Sequence, residues 1–143
     1  MVAVDISQEM LEKASSFAST HQLNNIQFIH QEAAEALQPP LVANCIVMNM
    51  VLHHVPSPAE LFIKASEILA PGGSLLISDL CAHNQSWVQQ ACGDLWLGFT
   101  EDEVDDWVKQ TDLEPQESLY LGLRNGFQLQ VRHFTKPVSI ATS

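Results

Sequence analysis

No glycine occurs in the first 71 residues of this 143-residue chain; all six (Gly72, Gly73, Gly93, Gly98, Gly122 and Gly126) lie beyond them. A turn that cradles a nucleotide needs glycine so that backbone can approach the ligand closely, and these residues cannot build one near the N-terminus. Positive charge is equally sparse. Six Lys and Arg face seventeen Asp and Glu, a formal net charge of −11. That field repels phosphate backbones and anionic membrane surfaces, so neither nucleic acid nor a membrane is an expected partner. Three cysteines (Cys45, Cys81, Cys92) form no CxxC and no even set, which excludes a disulfide framework and fits a reducing, cytoplasmic setting. No apolar run approaches the ~20 residues of a membrane-spanning helix, and no basic-then-apolar segment marks a signal peptide. Repeats and low-complexity tracts are also missing. With 46% hydrophobic residues, a chain of this length can bury a core without a metal or disulfide staple.

What is present alternates strand and helix patterns. Met-Val-Ala-Val-Asp at 1–5 is a short apolar run ending in an acid. Ser7 then caps a helix that carries Met10, Leu11, Ala14, Phe17 and Ala18 inward. Asn24-Asn25 is turn chemistry, residues 26–30 read as a second strand, and residues 45–50 as a third, more buried one. Ser57-Pro58-Ala59-Glu60 combines an N-cap, a first-turn proline and a capping-box glutamate. Leu61, Phe62, Ala65, Ile68 and Leu69 keep helical spacing behind it. Pro71-Gly72-Gly73 is expected to stop that helix, and residues 74–80 to form a strand. Residues 85–92 read as helical, and Thr100-Glu101-Asp102-Glu103 is a second capping box, with Val104, Trp107 and Val108 inward. Leu119, Leu121 and Leu123 alternate, Asn125-Gly126 suits a hairpin turn, and Phe127, Leu129 and Val131 alternate on the return. The pattern predicts an α/β fold, an incomplete Rossmann-like sheet that is mostly parallel with a C-terminal antiparallel hairpin. One domain is expected over 1–136, with a flexible tail at 137–143.

In open α/β sheets ligands sit beyond the carboxyl ends of the strands, which selects Asp5, Glu32, Asn49 and its successors, and Asp79. A carboxylate in the position of Asp5 can accept hydrogen bonds from two adjacent ribose hydroxyls. It can equally favour the positive N-terminus of the following helix, and both readings stay open here. Asp79, His83 and His53 are the candidates for positioning or deprotonating a substrate, against the plainer roles of loop-capping acid and solvent histidine. His53-His54 lacks a suitably spaced third ligand, and Cys81-Ala82-His83 is too small a cluster, so no metal site is expected. Trp87, Trp96, Phe99 and Trp107 serve either as a lid over an apolar substrate or as core.

Val-Asp-Ile-Ser at 4–7, Met-Asn-Met-Val-Leu-His-His-Val at 48–55 and Glu-Ile-Leu-Ala-Pro-Gly-Gly-Ser-Leu-Leu-Ile-Ser-Asp at 67–79 resemble, in order and spacing, motifs of the class I S-adenosylmethionine-dependent methyltransferases. Trp96-Leu97-Gly98-Phe99-Thr100 and Leu121-Gly122-Leu123-Arg124-Asn125-Gly126-Phe127 look like the methyltransferase domains behind arsenic-type repressors and, more loosely, the quinone-biosynthesis methyltransferases. The resemblance runs from Met1 to about Phe134. It implies S-adenosylmethionine as cofactor and a small-molecule methyl acceptor. By residue, it implies that Asp5 holds the ribose, Ile6 lies on adenine, Glu32 and Ala33 reach the adenine edge, and Asn49, Met50 and Val51 line the methionine side.

The departure from the family is the missing glycine turn, with the strand and helix around it. In the family's strand order that strand is central, between the strands that here end at Asp5 and Met50. Three outcomes are open: the first two strands close up against the third, another chain supplies a strand, or halves swap between protomers. Each favours a homo-oligomer such as a homodimer. Catalytic activity of the chain alone is therefore weighed against a non-catalytic oligomeric scaffold or ligand-binding module derived from a truncated methyltransferase.

Overall fold

The computed structural model describes residues 1–81, 99–123 and 127–138. The expected helix at 85–92, the Asn125-Gly126 turn, Trp87, Trp96, His83 and Cys92 lie outside the described residues. The chain forms two compact units, Met1–Pro39 and Pro40–Ser143.

The first unit is a parallel strand pair, β1 (Val2–Asp5) and β2 (Gln27–His30), joined by helix α1 (Gln8–Thr20) and followed by the short α2 (Ala33–Ala36). Ser7 caps α1 as its sequence predicts, its Oγ accepting the Met10 N–H at 3.3 Å. The amphipathic reading of α1 holds only in part. Leu11 and Ala18 are buried, but Met10 and Phe17 are 54% and 60% exposed. A helix lying on two short strands has little apolar surface to cover it, and Phe17 instead stacks on His21 one turn later, ring centroids 4.0 Å apart.

In the second unit, β3 (Ala43–Asn49) leads through a short 3-10 turn (Leu52–His54) to α3 (Pro58–Ile68). Then come β4 (Leu69–Leu80), α4 (Glu101–Lys109), β5 (Glu114–Gly122) and β6 (Gln128–Thr135). The sheet order is β3-β4-β6-β5. β3 runs parallel to β4, whereas β4–β6 and β5–β6 are antiparallel. The expected mostly parallel sheet is therefore corrected to a mixed one, because the returning arm of the hairpin, not its outgoing arm, docks on β4. A second correction concerns Pro71-Gly72-Gly73. α3 already ends at Ile68, and the Pro-Gly-Gly segment lies inside β4. There the Gly72 N–H donates to Lys136 O and the Lys136 N–H to Gly73 O, both at 2.9 Å. Gly72 has φ +81°, a conformation that disfavours any side chain, and a Cβ on Gly73 would lie 2.8 Å from Ala70 O.

Of the two capping boxes, Thr100 forms its bond, accepting the Glu103 N–H at 3.1 Å. Ser57 occupies the N-cap of α3 without a side-chain cap bond, leaving Pro58 in the first turn to set the helix start.

One face of the four-stranded sheet carries the core. Phe62, Ala65 and Ile68 of α3 and Val104 and Val108 of α4 are buried with Leu75, Ile77 and Phe134 of the strands. Phe134 meets Phe62 edge-on at 5.9 Å, and Trp107 meets Phe99 edge-on at 4.9 Å. Phe99 is thus a core aromatic, and Trp107, partly buried, packs against it. The opposite face is more open: Cys45 and Asn49 are exposed there, and Val47 and Leu119 are 66% and 55% exposed.

Among the described residues, β1 pairs only with β2 and β3 only with β4. Both β1 and β3 keep one edge without a ladder partner among the described residues.

Candidate functional site

Asp5 closes β1 and is partly buried, with Oδ1 accepting the Ser7 N–H at 2.8 Å. This is the helix-start role anticipated as the plain alternative. It does not exhaust the group, since an ionised carboxylate offers about four acceptor positions. Ile6 follows, 63% exposed. Its backbone is pinned across the unit by His30, whose Nε2–H donates to Ile6 O at 2.8 Å. His30 is the register partner of Asp5, a placement that strand register could have revealed although sequence motifs did not. Glu32 is exposed and sits at the N-cap of α2 with no side-chain cap bond, so its carboxylate is not spent on the helix; Ala33 is the first residue of α2. Two carboxylates at the end of a parallel strand pair, one held by a backbone N–H and one uncommitted to its helix, fit the hydroxyls and amino group of an adenosine.

The remaining predicted residues belong to the second unit. Asn49 ends β3, and its Oδ1 accepts the Ser78 Oγ–H at 2.6 Å. Met50 takes a left-handed conformation, φ +57°, and its N–H donates to Ser78 O at 2.7 Å. Val51 is partly buried and opens the 3-10 turn that contains His53 and His54. Asp79 is 1% exposed. Its Oδ2 accepts the Leu52 N–H at 2.9 Å and its Oδ1 the Leu80 N–H at 2.8 Å. The structure thus gathers Asn49, Met50, Val51 and Asp79 around the junction of β3 and β4, with Ser78 as a member that motif reading overlooked. Among the described residues no group of three or more His, Cys, Asp or Glu could hold a metal ion.

Cys81, one residue past the carboxyl end of β4, and Tyr120 of β5 are both shifted, by burial and then by Glu101. Burial and then the charge of Glu101 push the Cys81 thiol up. Burial, followed by the hydrogen bond that the phenol donates to the Glu101 carboxylate and the charge of that group, also raises the Tyr120 phenol. Both groups are held in their neutral forms, which makes Cys81 a poor nucleophile at neutral pH.

Comparison with known proteins agrees with this architecture. The arsenite methyltransferase of Halobacterium salinarum is 26% identical over 80 residues, which cover 56% of this chain and 20% of that protein. The N-methyltransferase NodS of Bradyrhizobium japonicum, solved with S-adenosyl-L-homocysteine, superposes with a TM-score of 0.72 at 15% identity, covering 95% of this chain and 66% of that one. The [4+2]-cyclase SpnF superposes at 0.78 with 12% identity, covering 96% and 66%. At such identities the solved structures establish the fold alone, and the cyclase among them illustrates that this fold hosts more than one chemistry. This chain spans a fifth of the arsenite methyltransferase and about two thirds of the two solved chains. The model of the family described as a methyltransferase domain matches residues 1–118, and the chain belongs to that family, the class I S-adenosylmethionine-dependent methyltransferases.

Proposed function

We propose that the chain binds S-adenosylmethionine and serves methyl transfer to a small molecule. The observation that carries this reading is the carboxylate of Asp5, fixed by the Ser7 N–H at 2.8 Å at the carboxyl end of a parallel strand. Asp5 would accept the ribose hydroxyls, Ile6 would lie against the base, and Glu32 with Ala33 would take the adenine edge. Asn49, Met50 and Val51 would line the amino-acid half. When bound, the cofactor supplies an electrophilic methyl group on a positively charged sulfur.

The chain's own contribution is alignment. With the acceptor held in line, most of the rate gain comes from orientation, so no protein base is compulsory. Asp79 has both carboxylate oxygens engaged by backbone N–H groups, which favours a holding role for it over proton abstraction. The strand edges that have no ladder partner among the described residues, on β1 and β3, support self-association, and they favour a second reading in which the chain acts as an oligomeric module without catalysis.

Titration with S-adenosylhomocysteine in a calorimeter, with Asp5→Ala beside the unaltered chain and the oligomeric state recorded on the same samples, separates the two. Micromolar binding that Asp5→Ala abolishes supports the methyltransferase reading. No detectable binding, or binding indifferent to Asp5→Ala, overturns it and leaves the module.

A further inference from the structure

Residues beyond a strand end have no sheet ladder to hold them, so their conformation depends on whatever bonds they find. From Asn49, the last residue of β3, to Leu52, the chain makes three bonds to two consecutive residues of β4, beside the Val51 and Leu52 carbonyl bonds of the 3-10 turn itself. The Ser78 hydroxyl donates to Asn49 Oδ1 at 2.6 Å, the Met50 N–H donates to Ser78 O at 2.7 Å, and the Leu52 N–H donates to Asp79 Oδ2 at 2.9 Å. The last of these is buried, with Asp79 and Leu52 each 1% exposed. Between the anchors sits Met50 at φ +57°, a backbone state that costs a residue with a side chain about 1–2 kcal/mol and persists only where neighbours impose it.

We infer that Ser78 and Asp79 are positioning residues: together they fix the path of Asn49, Met50 and Val51 and the rotamer of the Asn49 amide, and so shape the surface offered to the amino-acid half of the cofactor. This rests on the binding reading given above and extends it to residues that touch no ligand. The division of labour follows from geometry. With Asn49 Oδ1 taken by the Ser78 hydroxyl, the amide presents its N–H2 outward as a donor suited to a carboxylate. Asp79 is acceptor-only when ionised and serves two N–H donors, so an amide in its place can satisfy one and must turn a donor toward the other.

The discriminating experiment compares two ligands that share adenosine: S-adenosylhomocysteine, which carries the amino-acid half, and 5′-methylthioadenosine, which lacks it. Each is titrated against the unaltered chain, Asp79→Asn and Ser78→Ala, with amide hydrogen exchange at Met50 and Leu52 followed without ligand. The expected result is about a tenfold weakening of S-adenosylhomocysteine by Asp79→Asn and a smaller one by Ser78→Ala. Methylthioadenosine should bind all three proteins alike, and the Leu52 amide should lose protection in Asp79→Asn. A general loss of structure would weaken both ligands together. Should Asp79→Asn fail to fold, the split between ligands is read on Ser78→Ala, whose hydroxyl is not buried. Equal weakening of both ligands, or none, overturns the positioning role while leaving the cofactor reading intact. An unaltered chain that binds neither ligand overturns both.

Discussion

Arg132 is the most exacting test of how the second unit is held together. It projects from β6 onto the helix-covered face with its side chain 6% exposed, and its Nη2–H donates to Asp105 Oδ1 at 2.6 Å, while that aspartate side chain on α4 is 40% exposed. The guanidinium carbon also lies 5.3 Å from the centroid of Phe134, and Nη1 is buried with no hydrogen-bond partner. Removing the acid strands a buried cation. Breaking a fully buried pair costs about 3–5 kcal/mol, and the exposure of Asp105 reduces this, so we expect Asp105→Ala to destabilise by about 2 kcal/mol. Arg132→Met removes the charge and the orphan donor together and keeps an apolar side chain against Phe134, so its expected cost is within about 1 kcal/mol. In the Arg132→Met background, Asp105→Ala should cost almost nothing, because no cation is left to strand. All three tryptophans lie beyond residue 39, so urea unfolding followed by tryptophan fluorescence reads this unit. A 2 kcal/mol loss moves the urea midpoint by about 1 M at a slope near 2 kcal/mol/M. Should Asp105→Ala cost as much with Arg132→Met present as without it, the pair contributes nothing and the reasoning fails.

Phe62 is fully buried and packs edge-on against Phe134. Phe62→Ala is expected to cost about 3–5 kcal/mol in the same unfolding assay, and a loss below about 1 kcal/mol would place the core elsewhere. Gly73→Ala drives a Cβ to 2.8 Å from Ala70 O and 3.0 Å from Asn44 O, both backbone atoms. A melting scan should show about 1–3 kcal/mol of destabilisation, and an unchanged melting temperature would refute the close approach. Tyr120 is the chain's single tyrosine, so an ultraviolet titration reads it alone. Its midpoint should lie above 10.0, and Glu101→Gln should lower it, since burial and then Glu101 raise the phenol. The stabilisation of the neutral phenol is present below pH 10 and lost as pH rises through the raised value; a midpoint unmoved by Glu101→Gln would refute the pairing.

Short-range chemistry in the sequence foretold much of this structure. Val-Asp-Ile-Ser placed Asp5 at a strand end and Ser7 at a helix cap, and Thr100 with Glu103 marked the start of α4. Those signals are complete within four residues, so one chain suffices to read them. Contacts between distant residues left no such mark. Asp79 meets Leu52 across 27 positions, and Arg132 meets Asp105 across another 27; neither spacing is periodic. The hairpin was legible, but which arm would dock on β4 was not, because both Leu119–Leu121 and Leu129–Val131 alternate in the same way. Periodicity also overstated the burial of Met10 and Phe17, since it reports which face of a helix is apolar and not how much sheet exists to cover it.

The edge of β3 that has no ladder partner among the described residues has a practical meaning for anyone handling the protein. Sheet margins in soluble proteins are commonly guarded by lysine, proline or a bulge. Residues 45–50, Cys-Ile-Val-Met-Asn-Met, carry neither charge nor proline, and the one register irregularity of the β3–β4 ladder lies upstream, between Ala43 and Cys45. An uncharged, proline-free segment with Ile46 and Val47 at its centre has the composition that seeds cross-β stacking when its edge is exposed. Concentration and temperature are thus the variables to hold fixed when any ligand is tested against the chain.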